Sequence, residues 1–169
     1  MKTKRLAVDG MLAAMCAVLG YIAIDATAFK VTFETVPIML GALLFGPLDG
    51  LAIGGVGTLI YQLLKYGVSA TTVLWILPYV LMGLFLGLYA KKHNYKNTNK
   101  QILVSIILSE LFVTILNTGV MYVDAVMYGY YFKGFITGGL LLRLVICIVK
   151  SVVFGIVMPK ITTAVKKAI

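Results

Sequence analysis

Residues 102–123 read ILVSIILSELFVTILNTGVMYV, and residues 139–158 read GLLLRLVICIVKSVVFGIVM. Each run is apolar over about 20 residues, the length a helix needs to cross a bilayer. Neither has the strict alternation of a half-buried strand. Each is interrupted by groups that are costly in hydrocarbon: Glu110 in the first run, Arg143 and Lys150 in the second. Ionisable residues inside a span are functional-site candidates by default.

Their spacing adds geometry. Glu110 and Asn117 are seven residues apart and share a helix face, as do Arg143 and Lys150. The two runs turn back around a loop centred near Tyr130. Glu110 and Lys150 each lie twenty residues from that centre; Asn117 and Arg143 each lie thirteen away. In an antiparallel pair, equal distances mean equal depths. The expectation is a structural ion pair, Glu110–Lys150, on the deeper level. Above it, Asn117 and Arg143 line a pocket, with the Arg143 fork available to a carboxylate or phosphate. The competing reading has Arg143 snorkelling to outer headgroups.

Outward from this pair, four more apolar runs appear: Leu6 to Ile24, Val36 to Phe45, Leu48 to about Leu64, and Val73 to Ala90. The second is too short to span comfortably alone and ends at Gly46-Pro47, a turn signal. The predicted sixth helix stops at Met158, with Pro159 opening a basic tail. The expected fold is an all-α integral membrane protein, a compact bundle of six transmembrane helices forming one domain over residues 1–169. The apolar run after Lys2, Lys4 and Arg5 lacks a convincing cleavage site and reads as the first span.

Composition agrees. The 169 residues are 61% hydrophobic and only 12% charged, with a mean hydropathy of +1.01. A soluble domain carries about 25% charged residues, and the excess apolar surface here must face lipid. The net charge of +9 does not mark a nucleic-acid partner. Ten of the fifteen basic residues lie at the termini or between Lys91 and Lys100, all on one side of a six-span topology. The positive-inside rule places that side, and both termini, in the cytoplasm. The outer loops are then Asp25–Thr35, Lys65–Thr72 and Asp124–Gly138. Their aromatic residues, Phe29, Phe33, Tyr66, Tyr128, Tyr130, Tyr131 and Phe132, are either interfacial anchors or ligand contacts.

Small-residue seams permit close helix packing in lipid. Gly10, Ala13, Ala14 and Ala17 form one in the first run, Gly50, Gly54 and Gly57 a second, and Gly83 and Gly87 a third. The first lies near the inner end of its helix, where a partner subunit has room to dock.

An enzyme would require paired carboxylates, a histidine cluster or an activated nucleophile. The single His93 lies in the basic loop, Cys16 and Cys147 lie inside apolar runs, and Asp9, Asp25, Glu34, Asp49 and Asp124 are scattered along the chain. No metal site, cofactor or catalytic group is expected. A ligand-free scaffold remains the alternative to a binding subunit, and Arg143 and Asn117 weigh against it.

Residues 33–50, FETVPIMLGALLFGPLDG, and 66–89, YGVSATTVLWILPYVLMGLFLGLY, resemble the S components of energy-coupling factor (ECF) vitamin transporters, together with Leu116-Asn117-Thr118 and Leu142-Arg143-Leu144. The resemblance implies a substrate-binding subunit in the bacterial cytoplasmic membrane. Such a subunit captures a water-soluble vitamin from outside. It works with a transmembrane coupling subunit and two nucleotide-binding ATPase subunits, and hydrolyses no ATP itself. It further implies docking through the first-helix seam of Gly10, Ala13, Ala14 and Ala17. The implied outer pocket includes Lys30, Phe33, Tyr66, Trp75, Tyr79, Asn117, Tyr122 and Arg143. The Leu-Asn-Thr and Leu-Arg-Leu segments are most similar to the folate branch. In folate chemistry, aromatic rings stack on the ligand, Asn117 reads a pterin edge and Arg143 holds a carboxylate. The stretch Val68-Ser69-Ala70-Thr71-Thr72 differs from that branch's usual Pro-Gly-Phe-Thr, which keeps pantothenate as the alternative.

Overall fold

The computed structural model describes residues 2–26, 29–131 and 133–168, with side chains at 3–23, 31–131 and 139–167. The order is α1 (Lys2–Tyr21), β1 (Ile24–Ala26), β2 (Phe29–Val31), α2 (Thr35–Leu44), α3 (Pro47–Tyr66), α4 (Thr72–Lys92), α5 (Asn99–Met127) and α6 (Lys133–Ala168). Four segments are long and apolar enough to cross a membrane: Pro47–Tyr66, Thr72–Lys92, Asn99–Met127 and Gly139–Lys167. The chain is a multi-pass membrane protein with these helices as its frame.

The short α2 has a different task. Its ten residues rise about 15 Å, half a hydrocarbon core. Ile38, Met39, Ala42 and Leu43 are fully buried or nearly so, and α2 packs against α1, α3, α4 and α6. It is apolar on every side because it has neighbours on every side. Two residues past its end stands Gly46, whose φ of 119° a side chain rarely adopts. Pro47 then opens α3, where its missing N–H costs nothing.

The glycine seams bring backbones into contact. A Cβ on Gly83 would lie 2.1 Å from the Gly50 carbonyl oxygen, and one on Gly54 would lie 2.6 Å from that of Tyr79. These positions fix the crossing of α3 and α4. Gly57 does the same toward α1, where a Cβ would meet the Ala13 carbonyl oxygen at 2.8 Å. Ala13 and Ala17 are accordingly buried, while Gly10 and Ala14 are exposed. The first-helix seam is therefore divided. Half of it packs inward because Gly57 lets α1 approach, and only Gly10 and Ala14 face outward.

At the end of the bundle that carries the termini, Arg5 grips the start of α3. Its Nε donates to Asp49 Oδ1 at 2.7 Å, and Nη2 donates to the Phe45 carbonyl at 2.6 Å as well as to Asp49 Oδ2. The α5 start is a capping box in which Thr98 and Gln101 satisfy each other's backbone N–H groups. Lys166 Nζ donates to the Tyr95 carbonyl at 2.8 Å, joining α6 to the α4–α5 connection.

Besides the divided seam, two further features differ from the sequence expectation. The sixth helix does not stop at Met158; α6 runs through Pro159 to Ala168. A proline there removes one backbone hydrogen bond. The helix persists because Phe154, Met158 and Thr162, four residues apart on one face, are all buried. The second difference is in the first outer loop, which holds an antiparallel hairpin pairing Ile24 with Val31 and Asp25 with Lys30. Strands this short are marginal alone; β2 is supported by contact with α6.

Gly83→Ala should force α3 and α4 apart and cost roughly 1–3 kcal/mol, as overpacking does. Gly10→Ala, with nothing within 4 Å of the new methyl, should be neutral. Thermal unfolding of the two purified variants in detergent checks the pair; equal midpoints would contradict the close seam.

Candidate functional site

A cavity of about 430 Å³ lies between α3, α4, α5 and α6, at the end of the bundle away from the termini. Its volume is within the range of small-molecule sites. The floor is charged. Lys150 Nζ lies 3.0 Å from Glu110 Oε2, and both residues line the cavity. Glu110 is 1% exposed and Lys150 is partly buried, so the pair joins α5 and α6 with its carboxylate out of solvent.

About two helical turns above, Asn117 and Arg143 line the wall. Asn117 Nδ2 donates to Tyr79 Oη at 3.3 Å. Arg143 Nη2 lies 2.7 Å from Met121 Sδ, a weak acceptor. Among the described residues, no carboxylate lies within ion-pair distance of Arg143. A half-buried guanidinium without an anion is a site for one. Trp75 and Tyr79 add aromatic surface from α4. Tyr79 is placed there by the seam, since its carbonyl rests on Gly54.

The mouth is built from the connections. Asp124, in the last turn of α5, accepts from Thr71 Oγ1 at 2.5 Å and from Trp75 Nε1 at 3.3 Å. It also accepts from Tyr130 Oη. Burial and the neighbouring carboxylate push the Tyr130 phenol up to about 12, so the hydroxyl stays a donor well into alkaline pH. One carboxylate thus joins the α3–α4 connection, the first turn of α4 and the α5–α6 connection. Glu34, placed by the sequence among scattered outer acids, is fully buried and accepts from Thr32 Oγ1 at 3.0 Å. It packs where Gly20 leaves room: a Cβ there would meet Glu34 Oε2 at 2.6 Å and the Tyr61 ring at 2.7 Å.

Of the residues expected in the pocket, Tyr66, Trp75, Tyr79, Asn117 and Arg143 line the cavity, joined by Glu110 and Lys150. Phe33 and Tyr122 lie off its wall. Tyr122 is five residues beyond Asn117, about 140° around the helix; it is exposed and meets the Tyr131 ring at 5.4 Å. Phe33 is half-exposed and turns toward Phe154 at 6.2 Å. The Lys30 side chain lies outside the described residues; its backbone is in β2. Sequence reasoning missed Asp124 and Thr114. The signal was present, because Asp124 continues the seven-residue spacing of Glu110 and Asn117, and Thr114 lies on the same face. Thr35, Tyr61, Gln62, Ser69 and Thr71 carried no such signal and reach the cavity only through the packing.

The family model for "ECF transporter, substrate-specific component" matches residues 4–165. The chain belongs to that family. This is a family of transporter substrate-binding components and not of enzymes. The S component is similar in fold to a solved structure described as the S component of a bacterial ECF transporter. The TM-score is 0.70 at 23% identity, over 98% of this chain and 99% of the other. It is also similar to FolT bound with folic acid, with a TM-score of 0.63 at 23% identity, over 89% of this chain and 91% of that one. No curated protein sequence matches it.

Asp124→Ala should release three donors at the mouth together. Hydrogen–deuterium exchange should then quicken in residues 67–75 and 128–131, with little change in α1 or α2. Unchanged exchange at the mouth would mean that Asp124 does not hold these connections.

Proposed function

We propose that this S component captures a water-soluble vitamin from the extracellular side of the bacterial cytoplasmic membrane and delivers it inward, with folate as the best-fitting substrate. In this reading it has six membrane crossings with both termini in the cytoplasm. It assembles with a transmembrane coupling subunit and two ATPase subunits, and the exposed Gly10 and Ala14 of α1 belong to the docking face.

The observation that carries the reading is Arg143. A cation held half-buried on a cavity wall, with no carboxylate within ion-pair distance among the described residues, suits a ligand that brings its own anion. Trp75 and Tyr79 suit a flat ring beside it. The neighbour whose description names folic acid lends weight to folate over other carboxylate vitamins. The concentration of basic residues at one end supports the orientation.

The test is mass spectrometry of small molecules released from detergent-purified protein, with Arg143→Ala alongside. The wild-type protein should release a vitamin, and the variant should bind it about 30-fold more weakly, as loss of a charge-assisted hydrogen-bond pair implies. Undiminished binding by the variant would remove Arg143 from the site. A wild-type protein that binds no folate, pantothenate, thiamine, riboflavin or biotin would count against a vitamin-capture role.

A further inference from the structure

The Glu110–Lys150 pair has an incomplete set of partners for a purely structural ion pair. A buried pair offsets its desolvation only when the remaining lone pairs and protons are also satisfied. Glu110 Oε2 faces Lys150 Nζ at 3.0 Å. Glu110 Oε1 is buried and has no hydrogen-bond partner among the described residues. Its side chain is only 2% exposed, yet the residue lines the cavity. The Lys150 ammonium has three donors, and Glu110 is the one carboxylate among the described residues that it meets. The cavity floor therefore holds a carboxylate oxygen without a partner among the described residues, beside an ammonium whose further contact there is the Phe154 ring at 5.5 Å, a contact that leaves N–H donors over.

That pattern has a chemical complement: a ring edge carrying an N–H next to a carbonyl or imine acceptor. The N–H donates to Glu110 Oε1 and the ring acceptor receives from Lys150 Nζ. Seven residues along each helix, about 10 Å of rise, Arg143 has no carboxylate within ion-pair distance and Asn117 Oδ1 is a second buried acceptor without a partner, both among the described residues. The cavity is polar at both levels, with Val113, Ile146 and Cys147 supplying apolar wall between them.

We propose that Glu110 and Lys150 are specificity-determining residues that read the N–H/acceptor edge of a heterocyclic ligand, whose anionic group lies about 10 Å away at Arg143. The inference rests on the vitamin-binding reading of this cavity and narrows it to a substrate class. Ligands with a ring amide, ring urea or amino-azine edge at one end and a carboxylate at the other belong to that class. Folic acid and biotin do; pantothenate, with a carboxylate but no such ring, does not. The assignment also changes the role of Asn117, which becomes a contact to the middle or acidic part of the ligand.

The test separates reading from scaffolding. The double variant Glu110→Lys with Lys150→Glu keeps an ion pair between α5 and α6 but exchanges donor and acceptor. Binding of folic acid, biotin, pantothenate and 4-aminobenzoyl-glutamate is measured by titration calorimetry on wild-type and variant protein in detergent, with thermal unfolding of each. The expected result is that wild-type protein binds folic acid or biotin and that the exchanged pair weakens this at least about tenfold at an unchanged unfolding midpoint. Wild-type binding of 4-aminobenzoyl-glutamate, which has the carboxylates but no ring edge, should be weaker than that of folic acid. An exchanged variant that binds like wild type overturns the proposal. So does equal wild-type affinity for folic acid and 4-aminobenzoyl-glutamate, a comparison that needs no variant to fold. Preference for pantothenate over both ring ligands overturns the edge assignment and leaves vitamin capture standing, whereas binding of none of the four overturns both. The neutral pair Glu110→Gln with Lys150→Gln, read the same way, replaces the exchanged pair if that protein unfolds.

Discussion

The contact between the backbones of α3 and α4 is the constraint on which the rest of the molecule depends. In lipid, two apolar helices gain little by hiding from solvent, and close packing must hold them. Gly50 and Gly83 permit an approach that a single methyl on either would block. The same seam continues to Gly54, which supports the Tyr79 carbonyl, and so sets where the aromatic wall of the cavity stands. At its other end, Gly87 receives Pro47, where a Cβ would lie 2.3 Å from the proline Cα. One stripe of missing side chains thus positions the α2–α3 turn and the ligand wall together.

Against this rigid half, α5 and α6 form the charged side of the cavity. They contact each other along much of their length, and the Glu110–Lys150 pair joins them at the floor. The cavity exists because α2 is too short to fill the whole depth of the bundle. Below, Ile38, Met39 and Leu43 occupy the centre. Above, no equivalent helix does, and polar side chains from five elements converge. Asp124 then gathers the connections at the mouth with one carboxylate, because Thr71, Trp75 and Tyr130 all bring donors to it. A site of this kind combines a fixed wall with connections held by a few hydrogen bonds, the arrangement in which a mouth can open without disturbing the frame.

Much was legible in the sequence, and the reasons are local. Apolar length identifies a span whatever surrounds it, so the long helices follow from the chain alone. Helical periodicity and an antiparallel turn convert sequence distance into depth, which is why the chain alone places Glu110 beside Lys150 and Asn117 on the level of Arg143. The same arithmetic, carried one step further, reaches Asp124. The Phe-Gly-Pro segment at 45–47 and the Leu-Asn-Thr and Leu-Arg-Leu segments point to the family.

What only the tertiary structure decided is which face each residue presents to a distant neighbour. Ala13 turns inward, beside Cys16, because Gly57, more than forty positions away, leaves room for them. Thr71 reaches Asp124 across 53 residues. Glu34 is buried because Gly20 and Tyr61 close around it. Pro159 does not end α6 because the following turn has a core to pack against. Phe33 leaves the cavity wall for the same kind of reason, a ring partner in α6 that no local pattern encodes; Tyr122, about 140° from Asn117 around one helix, leaves it by local periodicity. Apolar length and period are properties of a segment, and one sequence carries them. Facing and burial are properties of pairs of segments, and they are settled only when the helices meet.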